Sequence, residues 1–258
     1  MTDPLLRPRS AMEIVDATFR LYRLHFSVLA SIALILLGPF TILSTIVGGT
    51  AGTLIDRASG LLMPIVSGAT VLVVANVLHG TEVSVRGTLA QLDGAWGSLI
   101  LVAIIQNFLM IIGLIFLIVP GVIAVVWTFA APMAVVVEGA RDSSTAFGRA
   151  RQLARGQFGH ILGTMLLSGV AIMALLFSAV IAFGIIAGLA HIGETASGFV
   201  SSVLFILLFP IFAISSGLLY FDLRIRAEAY DIERLASALD SAPVTPSAQH
   251  DSTSGTLL

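Results

Sequence analysis

Residues 10–47 read SAMEIVDATFRLYRLHFSVLASIALILLGPFTILSTIV, and this stretch holds the plan of the whole chain. Ser10 stands three residues before Glu13, the spacing of a capping box in which the hydroxyl accepts from an early backbone N–H and the glutamate reaches back. From there Met12, Val15, Phe19, Tyr22 and Phe26 recur at alternating three and four, one apolar stripe of a helix. Asp16 and Arg20 are spaced as an i,i+4 pair on a wetter face. The rest, Phe26 to Val47, is apolar enough and long enough for a hydrocarbon core that takes about 20 helical residues to cross. An interfacial helix runs straight into a membrane span.

Outward from this stretch the same pattern returns twice. After Glu82 the stripe is Val85, Leu89, Leu92 and Trp96; after Asp142 and Ser143, which suit helix caps, it is Phe147, Ala154 and Phe158, with Ala150 partly replacing the position that Arg151 interrupts. Each helix leads into two apolar stretches, which places spans near Phe26–Val47, Leu61–Leu78, Leu99–Val119, Gly121–Val137, Ile161–Leu189 and Val200–Phe221. The expected fold is an all-α polytopic membrane domain over residues 1–232. It would be built as three repeats of amphipathic helix plus transmembrane hairpin, at about 10–78, 82–138 and 142–222. Pro120-Gly121 reads as the turn between the third and fourth spans. Pro39, Pro64, Pro132 and Pro210 fall inside spans and predict local bends, and Gly113 and Gly184-x-x-x-Gly188 predict close helix packing.

Composition agrees. The 258 residues are 57% hydrophobic and 11% charged with a mean hydropathy of +1.02, where soluble domains carry about 25% charged residues. There is no cysteine, which excludes disulfides, thiolate catalysis and cysteine-ligated zinc or iron–sulfur sites. The formal net charge of −2 says less than the placement of the cations, all 13 of which are arginine. Arg7, Arg9, Arg20, Arg23, Arg86, Arg141, Arg149, Arg151, Arg155, Arg224, Arg226 and Arg234 fall on one side of the expected spans, and Arg57 alone falls on the other. The positive-inside rule then puts both termini in the cytoplasm. The first apolar run exceeds the roughly 7–15 residues of a signal-peptide core and lacks an A-x-A site, so it reads as a retained span.

Few residues offer chemistry. His25, His79, His160, His191 and His250 are isolated, with no H-x-x-x-H or H-E-x-x-H pair, so no metal site or cofactor is expected. No phosphate loop follows a strand, and the basic segments lack the aromatic platform of a nucleic-acid binder. Inside the spans the polar residues are Asn76, Gln106 and Asn107, with Glu138 and Asp222 at inner ends; no ionisable group lies at the centre of a span. Neutral amides there serve helix packing through hydrogen bonds worth on the order of 0.6 kcal/mol, or else a substrate site. The arginines of the amphipathic helices and of the closing segment, Arg20, Arg23, Arg149, Arg151, Arg155, Arg224 and Arg226, are candidate contacts for anionic lipid or a protein partner.

Three segments carry a family resemblance. Arg7 to Phe26, with its R-P-R-S-A-M-E opening, resembles the N-terminal signature of bacterial proteins described as glycerophosphoryl diester phosphodiesterase membrane domain. Val119-Pro120-Gly121 through Trp127 to Glu138-Gly139 and on to Phe158 resembles that family's central hairpin and arginine-rich helix, and Tyr220 to Glu228 resembles its closing motif. The likeness extends to about Ile232, with Gln152, Gln157 and Ala229 as departures. It implies the membrane part only, since the family's catalytic barrel with its metal-binding carboxylates and histidines has no counterpart here.

The expected function is a non-enzymatic protein of the bacterial cytoplasmic membrane that organises or senses the cytoplasmic leaflet, or scaffolds a partner in lipid or envelope metabolism. Two alternatives stand beside it. One is a carrier for a lipid-like or apolar substrate held by Gln106, Asn107 and Asn76; the other is a lipid-modifying enzyme using Glu138, Asp222 and nearby arginines. Residues 241–258, rich in Ser, Thr, Pro and Ala, read as a disordered cytoplasmic tail.

Overall fold

Ser10 caps the first helix as its spacing requires: the Glu13 N–H donates to Ser10 Oγ at 3.3 Å and the Ser10 N–H to Glu13 Oε2 at 2.8 Å. The computed structural model describes residues 8–116 and 118–241, with the side chains of all of these except 114, 116, 118 and 228–241. Arg7, His250 and the expected tail from 242 onward lie outside the described residues. Among the described residues the regular structure is helical throughout, with no strand.

The helices are α1 (Ala11–Leu24), α2 (Phe26–Val47), α3 (Gly49–Ser59), α4 (Met63–Leu78), α5 (Val85–Gln91), α6 (Trp96–Phe116), α7 (Ile118–Thr128), α8 (Ala131–Val137), α9 (Ser143–Ala154), α10 (Phe158–Leu189) and α11 (Glu194–Ser241). Six segments among them are long and apolar enough to cross a membrane: Phe26–Val47, Gly49–Leu78, Trp96–Gly113, Val119–Val137, Phe158–Leu189 and Glu194–Ala227. The short helices α1, α5 and α9 each precede a span that starts on an aromatic residue, Phe26, Trp96 or Phe158.

Several boundaries differ from the expected ones, each for a local reason. The helical segment that holds the second span begins at Gly49, ahead of the expected start at Leu61. Gly48 and Gly49, both at positive φ, reverse the chain after α2, and α3 folds back so closely that a Cβ on Gly52 would lie 2.4 Å from the Ser44 carbonyl oxygen. A single 3-10 turn then joins α3 to α4, with Pro64 in the first turn of α4 where its missing N–H costs nothing. Pro120 and Gly121 sit in the first turn of α7, not in the turn itself. Gly121 packs against Gly113, where an added Cβ would meet Gly121 Cα at 2.5 Å, so that hairpin owes its closeness to two hydrogens. The fourth span is broken between α7 and α8, and Pro132 opens the new helix.

Of the expected stripes, Val85, Leu89 and Leu92 and likewise Phe147, Ala150, Ala154 and Phe158 belong to the core or pack against it, while that of α1 is buried only in part. In α1 the buried residues are Ile14, Val15, Thr18 and Leu21, whereas Met12 is 60% exposed. The helix is therefore turned so that the buried face lies beside the aromatic stripe, against α10 and α11. Helix α5 is capped by Ser84, whose Oγ accepts from the Gly87 N–H at 3.1 Å, and ends at Gln91; Leu92 and Trp96 fall beyond it, across a turn through Gly94 at positive φ. Helix α9 is capped by Asp142 and buries Ala146, Ala150, Leu153 and Ala154.

At the centre stands α4, with Ile65, Val66, Ala69 and Val73 fully buried between α2, α6, α8 and α11. The core continues through Leu92, Leu99, Ala130, Ile214 and Tyr220 to Ile14 and Ile161, beneath the end that carries α1 and α9. Helix α10 lies at the edge, and a Cβ added to Gly184 or Gly188 would meet nothing within 4 Å, so the close packing that their spacing predicts is not formed among the described residues; both line a shallow concavity with Ser197 and Ser201.

Candidate functional site

The closing segment of α11 presents Tyr220, Asp222, Arg224 and Arg226, and the two acidic residues expected at inner ends of spans gather around it. Asp222 has no solvent exposure of its side chain. A carboxylate taken out of water survives only with its oxygens paired. Here Oδ1 accepts the Arg9 backbone N–H at 2.5 Å, while Oδ2 accepts His160 Nε2–H at 2.8 Å and Arg226 Nε–H at 2.8 Å. Arg226 Nη2 also donates to the Arg9 carbonyl at 2.8 Å. The i,i+4 spacing of Asp222 and Arg226 makes their pair a local one, whereas Arg9 and His160 arrive from distant parts of the chain. One carboxylate thus joins the segment before α1, the start of α10 and the end of the sixth span.

Glu138, which caps the C-terminus of α8, forms the second cluster. Arg149 of α9 donates Nε–H to both carboxylate oxygens at 2.9 and 2.8 Å, and the buried Tyr220 hydroxyl donates to Oε1 at 2.6 Å. Arg151, two residues on, lies over Trp127 with its guanidinium carbon 5.5 Å from the ring centroid. That contact is a cation–π pair.

The seven candidate arginines therefore divide. Arg149 and Arg226 pair with carboxylates, Arg151 lies on an indole, and Arg224 is not free either. Arg155 closes α9 as an exposed C-cap residue. Arg20 and Arg23 are exposed on the outward face of α1, where with Asp16, Phe19 and Leu24 they line an open concavity of about 500 Å³. The expected Asp16–Arg20 ion pair is not formed among the described residues, although Asp16 lines the same concavity as the two cations.

The three neutral candidates also separate. Asn76 lies at the end of α4 and donates from Nδ2 to Gln91 Oε1 of α5 at 3.4 Å. Gln106 and Asn107 line a different place, a cavity of about 550 Å³ between the spans. Neither amide bonds to another helix: Asn107 Nδ2 donates to Ala103 O of its own helix at 2.8 Å.

Outside the spans two groups have shifted titration. Burial pushes the Tyr22 phenol up, and its hydroxyl donates to the Leu207 carbonyl at 2.9 Å. The Asp142 carboxyl is held below the usual carboxylate value, first by the Ser144 hydroxyl and then by the Thr145 N–H of the helix it caps. Among the described residues no group of three or more histidine, aspartate or glutamate side chains is arranged to hold a metal ion.

Tyr220, His160 and the Arg9 backbone were not among the expected site residues. Only the Asp222–Arg226 spacing carried a readable signal of the cluster. Comparison with models of protein families, with curated proteins and with solved structures finds no match. The six helices long and apolar enough to cross a membrane make the chain a multi-pass helical membrane protein.

Proposed function

We propose that the chain is a non-enzymatic protein of the bacterial cytoplasmic membrane that binds anionic lipid of the cytoplasmic leaflet, and so organises or senses that leaflet or scaffolds a partner in lipid metabolism. The observation that carries this reading is the outward face of α1. Arg20 and Arg23 stand there without an ion pair among the described residues, beside Phe19, Leu24 and the single carboxylate of Asp16, so cations in excess and apolar side chains rim one open concavity, a composition suited to a phospholipid head and upper chain. The reading narrows the cation set. Arg149, Arg151 and Arg226 serve internal contacts, which leaves Arg20, Arg23 and Arg155 for lipid. Glu138 and Asp222 already accept from arginine, tyrosine, histidine or backbone donors, which supports a structural role over a catalytic one. No cofactor enters this reading.

Replacing Arg20 and Arg23 with glutamine should lower the preference for anionic over zwitterionic bilayers by about 1 kcal/mol per residue, and by less at high salt. Liposome competition at two ionic strengths measures this; unchanged selectivity overturns the reading.

The orientation belongs to the same proposal. With α1 and α9 at the cytoplasmic surface and three repeats of helix plus hairpin, Ala58→Cys and Thr195→Cys should react with an impermeant maleimide from outside. Ser144→Cys should not, and the reverse pattern would invert the topology. A second reading, a carrier for a lipid-like or apolar substrate, draws support from the joint position of Gln106 and Asn107 on one cavity; saturable uptake by reconstituted protein would promote it.

A further inference from the structure

The cavity that holds Gln106 has the composition of a binding site and a depth that restricts what can enter. Gln106 is ten residues beyond Trp96, about 15 Å along the helix, which is about half of a hydrocarbon core of roughly 30 Å. At about 550 Å³ the cavity is within the range of about 300–1,000 Å³ typical of small-molecule sites. Gln106 on α6 and Ser67 on α4 both line it, both are half-buried, and neither side chain makes a hydrogen bond among the described residues. In hydrocarbon an unmet amide is costly, so an occupant with hydrogen-bonding atoms relieves both groups at once.

Two further features limit that occupant. No ionisable side chain lines the cavity, so a phosphate, a carboxylate or an ammonium group would lose its hydration without a compensating charge. Asn107 and Ser216 also line it, their donors already bonded to Ala103 O and Phe212 O of their own helices, and the remaining wall is apolar, with Met110, Met133 and Met165 supplying flexible thioethers that adapt to an irregular shape. Asn107 and Phe212 are exposed members of the lining, and both are within the spans, so entry is sideways from the bilayer.

We propose that this cavity binds a membrane-dissolved lipid with an uncharged, carbonyl-bearing head, whose oxygens accept from the Gln106 amide and the Ser67 hydroxyl while its hydrocarbon extends past Phe212 into the bilayer. Two sources share this chemistry, an isoprenoid quinone and a diacylglycerol. The site is independent of the arginine face of α1 and holds whether or not the ligand is moved.

The full chain in zwitterionic nanodiscs, titrated separately with a long-chain quinone, with diacylglycerol and with a fatty acid at neutral pH, tests the proposal by native mass spectrometry and thermal shift. Saturable binding of the quinone or of the diacylglycerol is expected, with the one that binds naming the source, and the charged fatty acid should compete with neither. Gln106→Leu combined with Ser67→Ala should weaken binding by about tenfold. The same variant without ligand should keep its melting temperature, since it removes two unmet polar groups. Arg20→Gln with Arg23→Gln should leave this binding unchanged, which separates failure here from failure of the anionic-lipid reading. Absence of saturable binding by both neutral lipids, binding that the double variant retains, or a lowered melting temperature of the empty variant would each overturn the assignment.

Discussion

The second and fifth spans share a composition and differ in their surroundings. In the segment Gly49–Leu78, 56% of the most apolar stretch is buried inside the protein; in α10 the share is 11%. Hydropathy cannot separate them, because lipid tails are as apolar as leucine and give helices no reason to leave one for the other. Shape separates them. A Cβ added to Gly68 of α4 would meet Leu99 Cδ1 at 2.9 Å and Val136 Cγ1 at 3.1 Å, and one on Gly217 of α11 would meet Val71 Cγ2 at 3.4 Å. The α10 glycines 159, 163, 169, 184 and 188 meet nothing within 4 Å. Glycine in α4 is a site of close approach, and glycine in α10 leaves open space, at Gly184 and Gly188 within a shallow concavity shared with Ser197 and Ser201 of α11.

What fastens the outer helix is therefore polar and local. Among the described residues of α10 the buried ones are Ile161, Thr164, Ser168, Ile172 and Ala187, four of the five in its first half, next to the His160–Asp222 bond. Asp222→Ala would break this attachment. It would leave the Arg226 guanidinium, the His160 ring and the Arg9 N–H facing a site without an acceptor, at a cost of about 3–5 kcal/mol for a buried pair deprived of one partner. A lowered melting temperature in detergent is expected, with hydrogen exchange rising first in the segment before α1 and at the start of α10. Equal loss of protection throughout α4 would show that the two spans are held by one cooperative core instead.

The sequence shows this asymmetry only in part. Apolar runs of the right length reveal six crossings, and cap spacings locate the starts of α1 and α9, because those signals involve residues within a few positions of one another. Asp56 and Arg57 hide α3, since two charges in a short window lower its hydropathy although the backbone remains helical. The α1 stripe does not by itself tell which face is buried, for a helix at an interface is apolar toward the lipid as well as toward the protein, and Ile14, Thr18 and Leu21 are buried beside it. Glu138 and Asp222 could be placed at span ends but not with their partners: Tyr220 is 82 residues from Glu138 and His160 is 62 from Asp222. No periodicity records a contact of that separation. Gln106 and Asn107 were legible as mid-span amides, yet whether they bond to a helix or line a cavity depends on the packing of α4, α6 and α11 around them.

The smaller effect tests the comparison most directly, by making one substitution at two places. Gly68→Leu forces a four-carbon side chain into a gap where even a Cβ is crowded. Leu99 and Val136 are flexible at the crowded atoms but belong to α6 and α8, so they can yield only by moving within packed neighbours, and overpacking of this kind costs about 1–3 kcal/mol. Gly184→Leu puts the same side chain where an added Cβ meets nothing within 4 Å, beside the open concavity shared with Ser197 and Ser201 and between Ile181 and Ile185, both more than half exposed. Its effect should stay within about 0.5 kcal/mol, tending to stabilise, because leucine is the better helix former. Paired melting curves in the same detergent measure both. Should Gly184→Leu destabilise as much as Gly68→Leu, α10 would have to be packed against something other than lipid, and its exposed face would be an interface rather than a boundary with the bilayer.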